Sequence, residues 1–451
     1  MKEKKIGYKD ILHQKEFMKT VIADIINRFG DSIDSIAFVW LVYEVTQSAA
    51  WSAIIFGINR LPTIFLQPFA GAMIEGKNKK RIMVITDIIR GLCVGMVATA
   101  FVLGILNQWI ILIATLIISC AEAFRGPAST ALLPKLLDKK YYEFGLSLNK
   151  SANSIMELIG IGIGGIIIAT FSVSTAIFID MATFLISAVI LLTLRVREEN
   201  LAKAKINVNE YVDNLKGGFV YLRKNPLLRY FVVLAVFLNA ILVPFNCLMA
   251  PLVSEVLRTN ELMLSVLGCF ISVGMVIGAA CYPYISQKLK GRWITTLGGY
   301  SIGLTYLSFV LVGRFISSNL IKYILVALIV CVVGLAISFL SSYASVEFVK
   351  NIEEGYMART SALFGAACVA AMPIVSFLVS AVAGFVSTEI IFLIAGVLDI
   401  IICIWLCNKK RFAAVNKNDL EDEYIGEATE EAIGEAIGEA IGDVTTLQPN
   451  G

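Results

Sequence analysis

Twelve apolar stretches recur along the chain, each long enough for the roughly 20 residues a helix needs to cross the hydrocarbon core of a bilayer. They lie at 17–43, 48–75, 82–106, 109–133, 145–170, 174–194, 229–254, 262–287, 293–315, 320–347, 357–384 and 388–407. Inside a membrane no water satisfies the backbone, so spanning segments are helices or closed barrels. Runs of this length predict an all-α polytopic membrane protein with twelve transmembrane helices. Only 16% of residues are charged, against about 25% in soluble domains.

The placement of charge orients the chain. Of the 38 Lys and Arg residues, 30 lie in or beside segments on the N-terminal side of the membrane. Three (Arg258, Arg314, Lys322) lie on the other side, and five (Arg28, Arg60, Arg90, Arg125, Lys150) fall within spans. Basic residues favour the cytoplasmic side, so both termini are expected there. The domains expected are a cytoplasmic N-terminal segment (1–16), a six-helix bundle (17–194), a cytoplasmic central loop (195–228), a second six-helix bundle (229–407) and a cytoplasmic tail (408–451). The tail repeats EAIGEAIGEAIG at 431–442. A glycine in every turn costs a helix about 1 kcal/mol each, so disorder is expected. The polar N-terminus has no short apolar core with a cleavage site, so no cleaved signal peptide is expected.

Several chemistries are disfavoured. The nine cysteines all sit in apolar runs without CxxC spacing, so neither disulfides nor a metal site is expected. The only histidine, His13, precedes the first span, which excludes a histidine proton relay within the membrane. There is no P-loop pattern, no Ser/His/Asp set and no basic patch beyond what topology explains. The chain is therefore not expected to be an enzyme, to need a cofactor or to bind nucleic acid.

The informative residues are ionisable groups inside spans. A charge at the bilayer centre costs at least about 2.5–3.5 kcal/mol, so it faces a partner or a water-filled cavity. Asp24, Asn27, Arg28, Asp31, Asp34 and Ser35 recur every three or four residues and share one side of the first span. Asn59 and Arg60 lie near the middle of the second. Glu122 and Arg125 sit three apart in the fourth, where they could pair. Glu157 is in the fifth, Asp180 in the sixth and Asp399 in the twelfth. The candidates for proton coupling are Asp31, Asp34 and Glu122, because buried carboxylates can exchange protons near neutral pH. The candidates for a substrate cavity are Asp24, Asn27, Arg28, Phe38, Asn59, Arg60, Arg125, Glu157 and Phe245, with Trp40 and Phe56 as further aromatic groups. Salt bridges that only hold helices together are the competing reading for any single residue.

Two sixes of spans with a basic middle loop resemble the major facilitator superfamily. The loop GAMIEGKNKKR, 71–81, is similar to that superfamily's G-x-x-x-D-R-x-G-R-R signature. Gly71, Glu75, Lys79, Lys80 and Arg81 match its pattern, with Glu for Asp, Gly76 for Arg and Asn78 for Gly. The resemblance implies a latch on the cytoplasmic side. Gly160, Gly162, Gly164 and Gly165 resemble the antiporter signature G-P-x-x-G-G, with Ile161 in place of proline; a glycine packing face is the alternative. The stretches RFGDSIDSIAFVWLVYEVTQSAAWSAIIFGINRLP and EAFRGPASTALLPKLL resemble the macrolide-efflux and enterobactin-exporter branch of bacterial drug–proton antiporters. This resemblance implies the major-facilitator fold and a monomer in the bacterial cell membrane. It further implies export of amphipathic small molecules, macrolide-like or siderophore-like, against protons. The alternatives are proton-coupled uptake of a nutrient or lysophospholipid, and a non-transporting sensor or scaffold that uses the tail.

Overall fold

The computed structural model describes residues 11–74, 77–137, 141–196, 219–289, 291–352 and 357–406. The tail and most of the central loop lie outside the described residues. So does Glu75 of the gate signature.

The N-terminal half comprises α1 (Lys15–Thr46), α2 (Ala49–Phe65), α3 (Gln67–Ile74), α4 (Lys79–Val102), α5 (Gln108–Leu132), α6 (Tyr142–Thr170) and α7 (Val173–Leu192). The C-terminal half comprises α8 (Pro226–Cys247), α9 (Leu262–Ile285), α10 (Gly291–Phe315), α11 (Asn319–Lys350), α12 (Met357–Ala383) and α13 (Thr388–Leu406). Every apolar run carries a helix. The second is broken at Leu66, between α2 and α3. The seventh continues past α8 through Met249–Pro251 into a π-helical turn at Leu252–Val256.

Ten of these helices are long and apolar enough to cross a membrane. The 32-residue α1 has the length, about 48 Å at 1.5 Å per residue, but carries the stripe of charges. The 17-residue α2 is short by itself and is extended by α3.

Local chemistry sets the helix starts. Ser48, Asn78, Asn107, Ser172 and Asn225 each turn a side-chain oxygen onto backbone N–H groups of the following turn. These are the residue types that best satisfy the orphan donors of a helix N-terminus. At the other end of α7, the Lys80 ammonium donates to the carbonyls of Leu192 at 2.8 Å and Leu194 at 2.7 Å. A cation there meets unpaired carbonyls and the negative end of the helix dipole.

Within the first half, α1 packs on α6 and α7, α4 on α5 and α7, and α2 on α5. Within the second, α9 packs on α11, α10 on α11 and α13, and α8 on α12. The α9–α11 contact is backbone against backbone. A Cβ on Gly274 would meet the Cys331 carbonyl, and one on Gly334 would meet that of Ile271. Small residues permit this approach, and van der Waals contact rather than hydrophobic burial holds helices together in lipid.

The halves join through α2 with α12 and α6 with α9. The hydrogen bonds between them cluster on the side where α1 ends at Thr46. Tyr43 Oη donates to Glu255 Oε1 at 2.8 Å, and Ser376 Oγ donates to the Ala53 carbonyl. Gly165 N donates to Ser265 Oγ at 2.8 Å, and that hydroxyl donates to the Ile161 carbonyl, also at 2.8 Å.

Candidate functional site

The acidic stripe of α1 meets two arginines from other helices. On α5, Arg125 donates through Nε to Asp87 Oδ1 at 2.7 Å and through Nη2 to Asp24 Oδ1 at 3.0 Å. Asp87, on α4, also accepts from Ser187 at 2.7 Å and Asn27 at 3.3 Å. Asp24 accepts from Ser129 at 3.2 Å. One planar guanidinium thus bridges two carboxylates from two helices, a geometry that a lysine cannot reproduce. Asp87 is fully buried, and Asp24 nearly so. On α4, one turn beyond Asp87, Arg90 donates to Asp31 Oδ1 at 2.6 Å and lies 4.2 Å from the Phe184 ring centroid. These contacts tie α1, α4, α5 and α7 into one unit.

This arrangement replaces the pairing that sequence spacing allowed. Arg125 turns to Asp24 and Asp87 rather than to Glu122, and Asp31 takes Arg90 from α4. Asp87 escaped the sequence reading, and Arg90, counted there among the basic residues within spans, was not taken as a site candidate. Their signal was the one applied to α1, an ionisable pair inside an apolar run.

A cavity of about 440 Å³ lies beside the network, between the halves. Its charged wall is Arg28, Asp31, Asp34, Arg60, Arg90 and Glu122. Of the remaining sequence candidates, Phe38 and Asn59 line it too. Asn59 donates to Ser119 at 2.9 Å, tying α2 to α5 at its edge. Asp34 differs from its neighbours, since its Oδ1 is buried without a hydrogen-bond partner.

Other candidates fall outside the wall. Asp24, Asn27 and Arg125 form the network behind it. Glu157 makes a loose, half-exposed ion pair with Arg28 at 3.8 Å. Phe245, expected at the cavity, is buried and stacks on Phe309 with ring centroids 6.0 Å apart. It belongs to the aromatic core of the second half, with Tyr306 and Phe392.

The glycines of α6 serve two neighbours. A Cβ on Gly160 would lie 2.6 Å from that of Ser32, and one on Gly164 would lie 3.3 Å from the Ile33 Cα, both on α1. Gly162 and Gly165 face Cys269 and Ser265 on α9 instead. Gly71 lies within α3, Lys79 and Lys80 open α4, and Arg81 follows, exposed.

Comparison with known proteins agrees with this architecture. The family model described as transmembrane secretion effector matches residues 10–444. The MFS-type transporter YkuC of Bacillus subtilis is 25% identical over 308 residues, covering 65% of this chain and 70% of the relative. Macrolide efflux protein A of Streptococcus pyogenes is 22% identical over 375 residues, covering 83% and 90%. The crystal structure of the nucleoside transporter NupG superposes with a TM-score of 0.70 at 13% identity, covering 87% of this chain and 98% of that one. The protein is therefore a multi-pass transporter of the cell membrane, and it belongs to the transmembrane secretion effector family of the major facilitator superfamily.

Proposed function

We infer that the chain is a secondary active exporter that expels amphipathic small molecules, macrolide-like or siderophore-like, in exchange for protons. One observation carries the coupling assignment. In the cavity wall Asp31 is held by Arg90, whereas Asp34 has no cation within ion-pair distance among the described residues and keeps one oxygen unpartnered. A carboxylate already neutralised by an arginine has little use for a proton. One facing a cavity without a cation can take a proton up and release it as cargo enters and leaves. The likeness to macrolide efflux protein A supports the cargo class and the direction.

In this reading the chain crosses the membrane twelve times as two six-helix bundles, with both termini cytoplasmic, and works as a monomer. The bundles rock about the cavity, as in transporters with a midplane site between repeats. The Thr46 side faces outward and is sealed, so the cavity serves the cytoplasmic side.

The test is accumulation of a fluorescent macrolide in everted vesicles energised by respiration. Accumulation that is abolished by a protonophore and lost in Asp34→Asn is the expected result. Accumulation only in right-side-out vesicles would turn the assignment to uptake. Accumulation indifferent to the protonophore would remove proton coupling.

A further inference from the structure

The cavity wall is charged on one side only. All six charged lining residues belong to the N-terminal half, on α1, α2, α4 and α5. The second half contributes Asn246, Cys247, Met249, Gly268, Ile271 and Ser272, none of them charged. A molecule bound here meets charge on one flank and a neutral, mostly apolar surface on the other.

Most of the charged flank is already matched internally. Arg90 donates to Asp31, and Arg28 is loosely paired with Glu157. In the proposed cycle Asp34 is occupied by the proton. Two groups remain. Arg60 is exposed, its guanidinium 5.3 Å from the Phe56 ring centroid, and it meets no carboxylate within 4 Å among the described residues. Glu122 is exposed and forms neither a hydrogen bond nor an ion pair among them; Arg90, which it influences electrostatically, gives its hydrogen bond to Asp31.

These two groups lie close in level. The Asn59–Ser119 hydrogen bond registers α2 against α5. Arg60 is one residue beyond Asn59, and Glu122 three beyond Ser119. Both helices run away from the Thr46 side, so the pair is displaced from that bond in the same direction by about 1.5 and 4.5 Å. Both line the same cavity, on two helices packed against each other.

We propose that, within the amphipathic cargo class, this cavity prefers zwitterionic members to purely cationic or purely anionic ones, with the acid group on Arg60, the cationic group on Glu122 and the apolar body against the second half. A purely cationic cargo would bury Arg60 unpaired, and a purely anionic one would do the same to Glu122. Each orphaned charge costs more than the missing contact would have gained. A zwitterion satisfies both. The inference rests on the cavity being the cargo site of a transporter, and it is independent of transport direction.

Three soluble probes with one chain and different heads test it: octanoylcarnitine (zwitterion), octanoylcholine (cation) and octanoate (anion). Binding is read by calorimetry on the full chain in nanodiscs, with empty nanodiscs subtracted. Octanoylcarnitine is expected to bind about tenfold more tightly than either relative: over octanoylcholine by one charge-assisted hydrogen bond from Arg60 to its carboxylate, and over octanoate by the Coulombic contact of its quaternary ammonium, which has no N–H to donate, with Glu122. Arg60→Ala should reduce it to the affinity of octanoylcholine. Glu122→Gln should weaken octanoylcarnitine and octanoylcholine alike and leave octanoate no weaker. Equal binding of the zwitterion and the cation, or a preference that survives Arg60→Ala, overturns the assignment of cargo charge. Ser272→Trp, a neutral change that fills the cavity from the second half, separates the two levels of failure. If it abolishes binding while the heads are not distinguished, only the zwitterion proposal falls. If binding persists in it, the cavity is not the cargo site and both readings fall.

Discussion

Arg90 Nη2 on α4 lies 2.6 Å from Asp31 Oδ1 on α1, while Asp34, one turn further along α1, forms no ion pair among the described residues and keeps Oδ1 unpartnered. Two aspartates on the same face of one helix thus have different tasks. Asp31→Asn removes the partner of a buried arginine, and breaking a buried pair costs about 3–5 kcal/mol. Asp34→Asn removes no ion pair. The melting temperature of the purified protein should therefore fall clearly in Asp31→Asn and stay near wild type in Asp34→Asn, whereas proton-driven transport is lost in the latter. Equal melting of the two variants would remove the distinction drawn between them.

Arg125 makes a graded prediction. Lysine keeps the charge but cannot reach Asp87 and Asp24 together in one plane, so Arg125→Lys should melt below wild type. Arg125→Met leaves both aspartates without a cation and should melt lower still, by a further amount on the order of 2 kcal/mol or more. A methionine variant as stable as wild type would mean that the network adds nothing to the fold.

The seal between the halves rests in part on Tyr43 and Glu255. Tyr43→Phe deletes a hydrogen bond worth about 1 kcal/mol, and this one joins the halves only while the Thr46 side is closed. The population open on that side should rise about fivefold. Cys247, a cavity-lining thiol, should then react correspondingly faster with an impermeant thiol reagent applied from outside. Glu255→Gln retains an acceptor oxygen and should change the rate less.

Gly165 tests the same seal from α6. An added Cβ would collide with the Ser265 hydroxyl, so Gly165→Ala should loosen the contact with α9 and speed Cys247 labelling. Removing the obstacle in Gly165→Ala/Ser265→Ala should restore part of the closed state, a coupling between neighbours that two independent sites would not give. If the double variant labels faster than either single one, the close approach at Gly165 is not what limits the contact.

Much of the fold was legible in the sequence because it depends on local rules. Apolar runs set the helices, whereas Ser48, Asn107 and Ser172, which cap three of their starts, were not singled out. The two broken runs were less legible. Pro62 sits inside α2 without ending it, whereas the chain breaks at Leu66, two residues before Pro68 at the start of α3, so which proline would break the run could not be read off. The glycines of α6 were visible as a set, but which faced α1 and which α9 was not, since both neighbours use alternating positions of the same helix.

By itself, the sequence determined that the chain spans a membrane many times, that α1 turns a polar stripe inward, and that charge gathers in the first half. Only the tertiary structure decided which charges neutralise each other. Helical periodicity places Asp24, Asn27 and Asp31 on one face, but the partners arrive from helices far away in the chain. Arg125 is 101 residues from Asp24 and 38 from Asp87. Ion pairing acts over a few ångströms and is indifferent to sequence separation. That is why spacing suggested Glu122 for Arg125, and why packing freed Glu122 and Arg60 to face the cavity.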